Sequence, residues 1–531
     1  MGLHERESVF MPAGPQLWGL SVFDVLIIIA YIVGVVIIGT YYGKYVKSAK
    51  DFFLAGRALP FWAIGMSIVV SDIGASDFVF VGGATYKYGV SAANFDWIGS
   101  MPAMAIAAFI FMPYYWRAGV YTIPEFLGRR YNMAVQIIHA AIWGIFMVTM
   151  LGVIFQATGN FMASILGWPI WVGVAITIVT VFIYTFSGGL AAVVMTDVVQ
   201  LVVMFVGGLA LLALAMWEVG GWGALQDQVI AIKGEGHLTM LQPNDDPTTP
   251  YPWAGIVFGL GLVMSTAYFS GHQGVVQRVF GARSEWDAKG GMLFGGFLKS
   301  FIPLMVALPG LAAIVLLPEG SITKGDDAVP AMIRHLMPAG VRGLTFSALV
   351  ASFLSSADGY LNSASTIWTT DLYGRVHEFF TGRLPGERHG LVMGRLFTVV
   401  FVIIGASLVP VLDRVESMYN FIQTSLSMFQ GPVFAILLLG IMWRRANRWG
   451  GLIGMLSGVA ISTVLNFTEG LFPSADAFLF VSWWSFVFTI IITVVVSLLT
   501  KPEPEEKIRG LVFGQVMKDG QIQRVLAERV E

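Results

Sequence analysis

Between Ala351 and Tyr373 the chain reads ASFLSSADGYLNSASTIWTTDLY. Ser352, Ser355, Ser356, Gly359, Asn362, Ser363, Thr366 and Thr370 fall on one stripe at helical spacing, with Asp358 close beside it. Hydroxyl and carbonyl oxygens are hard ligands, and adjacent hydroxyls can supply part of a Na+ shell without adding net charge. The same small polar face also suits tight packing against another helix. Ionisable residues inside apolar runs are few: Asp72, Asp77, Asp96, Asp197, Lys299 and Asp358. Each needs a partner, because lipid offers none. Asp96 and Lys299 can form an ion pair, or can divide their hydrogen bonds with a polar ligand. Asp72 and Asp77 flank SDIGASD (71–77), where a helix break makes backbone carbonyls available to a cation. Asp72 either supports that break by accepting backbone N–H bonds or attracts the ion, and Asp77 is better placed to touch a solute. His139 and His272 read as structural histidines.

These residues need long apolar elements to carry them. Of 531 residues, 56% are hydrophobic and 12% charged, which points to an all-α polytopic membrane protein. Apolar spans fall near 20–42, 60–83, 93–116, 134–164, 168–187, 189–217, 253–277, 288–317, 341–373, 391–412, 417–443, 448–467 and 478–500, giving about thirteen transmembrane helices. Most of the 31 Lys and Arg lie in alternate connectors and in the tail, which predicts an external N-terminus and a cytoplasmic C-terminus. Arg278 is assigned to one of these inward connectors, so no arginine is expected in any span. The chain divides into an external segment (1–19), one transporter domain (20–500) and a cytoplasmic tail (501–531). The connector 218–252 reads as an external loop with a short surface helix. Polar, Gly-interrupted stretches at 71–77 and at FSGHQG (269–274) recur at matching places in two groups of five spans. That pattern predicts inverted repeats over about 60–217 and 253–443, with discontinuous helices and a site at the midplane. There are no cysteines, so disulfides, thiolate metal sites and cysteine nucleophiles are excluded. The near-neutral charge of -2 gives no reason to invoke nucleic acid. No nucleophile with its base and no metal triad is visible, so an enzyme is not expected.

Several long stretches, in order, resemble the solute:sodium symporter family: RALPFWAIGMSIVVSDIGASDF (57–78), AGVYTIPEFLGRRYN (118–132), SGGLAAVVMTDVVQ (187–200), GHQGVVQRVFGARS (271–284) with FLK (297–299), and SSADGYLNSASTIWTTDLY (355–373). The resemblance runs from about residue 20 to 445. It looks closest to the sodium/sugar cotransporter branch, because NFDW (94–97), Tyr268–Phe269, Lys299 and Gln423 fall where that branch has sugar-site residues. It implies a leucine-transporter-type five-plus-five fold in the plasma membrane, Na+ as coupling ion, and no organic cofactor or obligate protein partner. By the same similarity, the carbonyls of Val70, Ile73 and Ser352 and the hydroxyls of Ser355 and Ser356 would hold Na+. Tyr268 would be an inner aromatic gate, with Gln423, Lys299 and Asp96 bonding solute hydroxyls. Asp197 matches an aspartate that serves a second sodium in some members.

Where those members have Ser or Thr, this chain has Asp358 and Gly359, so Asp197 and Asp358 become a candidate second-cation or proton site. Asp77, Ser265 and Gly99 replace the Gln or His, Asn and Ser of sugar relatives. The expected function is Na+-driven uptake of a small polar solute, a sugar or polyol, by alternating access. The alternatives are an amine-bearing solute, proton coupling, or a non-transporting solute sensor. An acidic solute is disfavoured, since Lys299 is the one cation expected in a span and Asp96 its expected partner.

Overall fold

The computed structural model describes residues 16–17, 20–73, 80–245, 249–318, 320–322, 324–338, 340–415, 418–468, 470–472, 474 and 477–514. Asp77 lies outside the described residues.

Helix α1 (Val22–Tyr42) opens with a capping box in which Ser21 and Asp24 bond each other's backbone N–H groups. Asp24 also does long-range work: its Oδ1 accepts from the N–H groups of Gly340 and Gly343 at 2.8 and 2.6 Å. Those groups open the serine-rich helix, where unsatisfied donors and the helix dipole favour a carboxylate. α2 (Phe61–Asp72) stops where Ile73 leaves helical geometry at ψ 72°. α3 (Gly82–Tyr88) follows, then α4 (Met101–Ala118) and α5 (Ile123–Arg130), which meet at an 81° bend. α6 (Met133–Leu166) and α7 (Ile170–Val219) are long. Matching the two spans expected at 168–187 and 189–217, α7 is two helices that meet at a kink at Gly189 (φ 52°, ψ -147°). A Cβ there would lie 2.3 Å from the Phe52 carbonyl oxygen, so only glycine fits that approach.

α8 (Gly255–Gly271) ends at His272, and α9 (Gln273–Phe280) resumes immediately after it. α10 (Glu285–Lys299), α11 (Ile302–Leu316), α12 (Val341–Ile367), α13 (Glu387–Leu412), α14 (Met418–Met442), α15 (Arg448–Asn466) and α16 (Phe478–Leu499) complete the bundle. Among the described residues, eight helices are long and apolar enough to cross a membrane, or nine if α4 and α5 count as one bent span. The spans expected at 60–83, 253–277 and 341–373 are not among the eight: Ile73 and His272 interrupt the first two, and the hydroxyl-rich α12 is not apolar enough. The connector after α7 does contain a short helix, Trp222–Lys233.

α12 is the centre of the bundle, with nearly every side chain from Gly343 to Ile367 buried. It packs on α7, α6 and α1. α2 and α10 meet backbone to backbone: a Cβ on Gly65 would lie 2.8 Å from the Gly291 oxygen and 2.9 Å from the Gly295 nitrogen. Small residues permit this approach where lipid supplies no hydrophobic drive for association. On the face bearing the α5–α6 connection, Arg130 donates to the carbonyls of Gly440, Trp443 and Ala446 at 2.6 to 3.0 Å, covering the end of α14. Glu503, beyond α16, bonds Arg448 and Lys507, each at 2.9 Å.

Candidate functional site

A cavity of about 180 Å³ lies where α2, α6, α8, α10, α12 and α14 converge with the segment between α3 and α4. At roughly 15 Å³ of such space per water, it holds on the order of a dozen waters, which is room for a small organic molecule rather than a lone ion. Asp96, Ser265, Tyr268, Phe269, Lys299 and Gln423, all expected solute residues, line it together. Asp72, Gln430 and Tyr360 line it too.

The expected Asp96–Lys299 contact is present, with Nζ 2.9 Å from Oδ1. Lys299 also donates to Asp72 Oδ2. Asp72 thus takes an ammonium, where the sequence reading had it accepting backbone N–H groups or attracting the ion. α2 and α10 end side by side, which brings the two residues together. Lys299 is 4% exposed, and its ammonium lies 5.6 Å from the centre of the Phe269 ring.

The serine face of α12 meets the broken end of α2 beside this cavity. Ser352 donates to the carbonyl of Ile73, and Ser356 donates to the carbonyl of Ser71 at 3.0 Å. Ser355 donates to Asp197 Oδ1 at 2.5 Å and lies 2.8 Å from the Ser71 hydroxyl. Val70 is fully buried in the last turn of α2. The five residues expected to ligate sodium therefore come from two elements in direct contact.

Arg278 corrects the sequence reading. Assigned to a connector, it is 1% exposed on α9 and reaches into this same cluster. Its guanidinium donates to Ser67 at 2.5 Å, to Ser71 and to the Gly274 carbonyl, and it lies 3.1 Å from Asp197 Oδ2. The break at His272 starts a new helix, α9, that packs against α2, which hydropathy does not reveal. Asp358, also fully buried, accepts from the Tyr184 hydroxyl at 2.5 Å through Oδ2, while Oδ1 has no hydrogen-bond partner. Two further buried carboxylates escaped the list of span residues because they sit at span ends. Asp24 caps α12, and Asp371 accepts from Thr122 and Gln136, both at 2.7 Å.

Beside the cavity, His272 stacks on Tyr268 with ring centres 4.5 Å apart. It also meets Trp143 and Tyr360 edge to face at 5.0 and 5.4 Å. Neither ring nitrogen of His272 has a hydrogen-bond partner, so the imidazole acts there as an aromatic plate. His139 is likewise buried, 6.2 Å from Trp143.

A helical membrane bundle with broken helices, a polar cavity at the breaks and buried carboxylates beside a hydroxyl stripe has the architecture of a transport protein. The Sodium:solute symporter family model matches residues 52–458, and the chain belongs to that family. Its relatives include the sodium/glucose cotransporter of Vibrio parahaemolyticus, 29% identical over 507 residues and covering 91% of both chains. Another is the sodium/myo-inositol cotransporter of Canis lupus familiaris, 29% identical and covering 93% of this chain and 76% of the relative. Among solved structures, a substrate-bound outward-open Na+-coupled sialic acid symporter superposes with a TM-score of 0.79 at 20% identity, over 91% of this chain and 99% of that one. A nucleobase-cation-symport-1 family transporter in a closed conformation superposes at 0.57 with 13% identity, over 86% and 97%. These two share the fold. As a sodium:solute symporter the protein is a transporter and not an enzyme, it takes sodium as its coupling ion, and it needs no organic cofactor.

Proposed function

We propose that this protein is a secondary active symporter that uses the inward Na+ gradient to take up a small polar organic solute, a sugar or polyol, by alternating access. In this reading thirteen crossings form a leucine-transporter-type five-plus-five inverted repeat in the plasma membrane, with the N-terminus external and the C-terminus cytoplasmic. Sodium binds at the carbonyls of Val70, Ile73 and Ser352 and the hydroxyls of Ser355 and Ser356, next to the carboxylate of Asp197. The solute takes Asp77, Asp96, Ser265, Phe269, Lys299 and Gln423 as its surroundings, with Tyr268 beneath it.

The observation that carries this reading is a shared wall. Ser71 and Ser356 line the cavity, and the same two residues are bonded into the Ser355–Asp197 cluster. An ion that draws the Ser355 and Ser356 hydroxyls from their protein acceptors alters the end of α2, and with it the cavity. Coupling then follows as a difference in solute affinity between two arrangements of one contact. The names of the glucose and myo-inositol relatives support a polyhydroxyl solute.

Asp358 favours a second reading of the coupling ions. Its unpartnered Oδ1, and the Arg278 guanidinium pointed at Asp197 instead, leave two carboxylates against one cation. A proton or a second sodium at Asp197 and Asp358 would balance that cluster.

Uptake of labelled glucose and myo-inositol into proteoliposomes, with an inward Na+ gradient against choline, tests both readings. Sodium-driven accumulation that Ser355→Ala with Ser356→Ala abolishes is the expected result. Unchanged sodium dependence in that double variant would overturn the ion site, and accumulation driven by a proton gradient alone would move the coupling to Asp358.

A further inference from the structure

The cavity wall holds more carboxyl groups than cationic ones. Among the described residues that line it, the acidic and basic side chains are Asp72, Asp96 and Lys299. Both carboxylates contact the same ammonium, Asp96 through Oδ1 and Asp72 through Oδ2. Asp96 is 2% exposed, and its Oδ2 has no hydrogen-bond partner. A buried carboxylate oxygen without a donor is costly, and a buried excess charge more so. Mobile ions screen such a site poorly, because it lies away from bulk water.

A ligand can relieve either defect or both. A neutral polyol donates a hydroxyl to Asp96 Oδ2 but leaves the excess negative charge in place. An anionic solute adds to it. A protonated amine supplies the donor and the charge together, through a charge-assisted hydrogen bond to Asp96. The remaining wall suits a compact polar body, since Ser265, Gln423 and Gln430 offer neutral hydrogen bonds, and Tyr268 and Phe269 offer ring faces.

We propose that the solute of this symporter carries an ammonium group on a hydroxylated carbon frame, in the manner of an amino sugar or amino polyol, and that Asp72 sets this preference. The proposal deepens the symporter reading and rests on it. Asp72 is the carboxylate in excess: without its charge, Asp96 and Lys299 form a one-to-one pair and the cavity becomes suited to neutral solutes. Asp72 acts on specificity by sharing Lys299, which leaves Asp96 Oδ2 to the solute.

The test is equilibrium binding to the purified full-length protein in sodium, by change in intrinsic tryptophan fluorescence, with glucosamine, N-acetylglucosamine, glucose and glucuronate as probes. These differ chiefly in the charge or capping of one substituent. The wild type is expected to bind glucosamine about tenfold tighter than glucose or N-acetylglucosamine, a modest part of one charge's interaction at an effective dielectric near 20, and glucuronate weakest of all. Asp72→Asn should bring glucosamine and glucose to within about threefold, chiefly by weakening glucosamine. Glucose bound as tightly as glucosamine by the wild type overturns the charge inference and leaves the symporter reading intact. Failure of all four probes to bind, in protein that sodium still stabilises, overturns the inference together with the sugar-like frame on which it rests. If Asp72→Asn fails to fold, the contrast between glucosamine and its uncharged N-acetyl derivative in the wild type decides the matter.

Discussion

The contact between Arg278 and Asp197 lends itself to a double-mutant cycle. The two side chains are 2% and 0% exposed, with Nη2 3.1 Å from Oδ2. Removing one partner of a buried ion pair costs roughly 3–5 kcal/mol, because the other charge is left behind. Here each survivor keeps some support. Without the guanidinium, Asp197 retains Ser355 at 2.5 Å, Ser71 at 3.2 Å and Ser67. Without the carboxylate, Arg278 retains Ser67, Ser71 and the Gly274 carbonyl. Each single variant, Arg278→Gln or Asp197→Asn, is therefore placed at the lower end, about 3 kcal/mol. If the two losses were independent the double variant would lose about 6 kcal/mol; since each removes the same interaction, it should lose only about 3. The assay is equilibrium unfolding of the four proteins in mixed micelles at fixed sodium. Additivity to within about 0.5 kcal/mol would refute the pairing. Sodium supplies a second readout, since a ligand at a hundred times its dissociation constant stabilises the folded state by about 2.7 kcal/mol. That increment should be present in the wild type and largely lost in the double variant, which is no less stable than either single variant but lacks the carboxylate beside the ion.

Two further predictions concern the frame. Burial alone would raise the Glu503 carboxyl, but hydrogen bonds from Arg448 and Lys507 outweigh it and hold the group down at about 2. A depressed folded-state value means that this docking is fully stabilising above the ordinary range near 4.5 and is lost as pH falls toward 2. Protease cleavage within 501–514 should then be slow and pH-independent above pH 5, and faster in Glu503→Gln, measured with an acid-tolerant protease below that pH. Gly65→Ala should destabilise the protein by about 1–3 kcal/mol, because its Cβ meets the backbone of α10. Gly34→Ala on α1, where no atom lies within 4 Å, is the matched control and should change stability by less than about 1 kcal/mol. Equal effects on unfolding from the two substitutions would refute the close contact.

The parts of this site that the sequence revealed are those whose physics is local. A stripe of hydroxyls in an apolar run must face protein, and Ser352, Ser355 and Ser356 do. A lysine in a span must find a carboxylate, and Lys299 finds Asp96. What stayed hidden depends on how the broken helices turn. Asp72 reaches Lys299 because α2 and α10 end together, and Arg278 becomes an interior residue because α9, starting after the break at His272, packs against α2. Asp24 and Asp371 were masked by their places at span ends, where a charge is ordinarily solvated. Hydropathy also placed one join: it divided the run of α7 at Gly189, where the backbone leaves helical geometry and two helices meet at a kink.

The glycine contact between α2 and α10 bears on how such a bundle can move. With their backbones touching at Gly65, Gly291 and Gly295, these two helices cannot slide past one another by a turn without first parting. They behave as a single lever, with Asp72 and Lys299 clasped at its tip. A lever of this kind transmits displacement without absorbing it. The clasp at its tip should therefore outlast any swing, while the second hold of Lys299, on Asp96 from the segment between α3 and α4, is the one that works as a clutch.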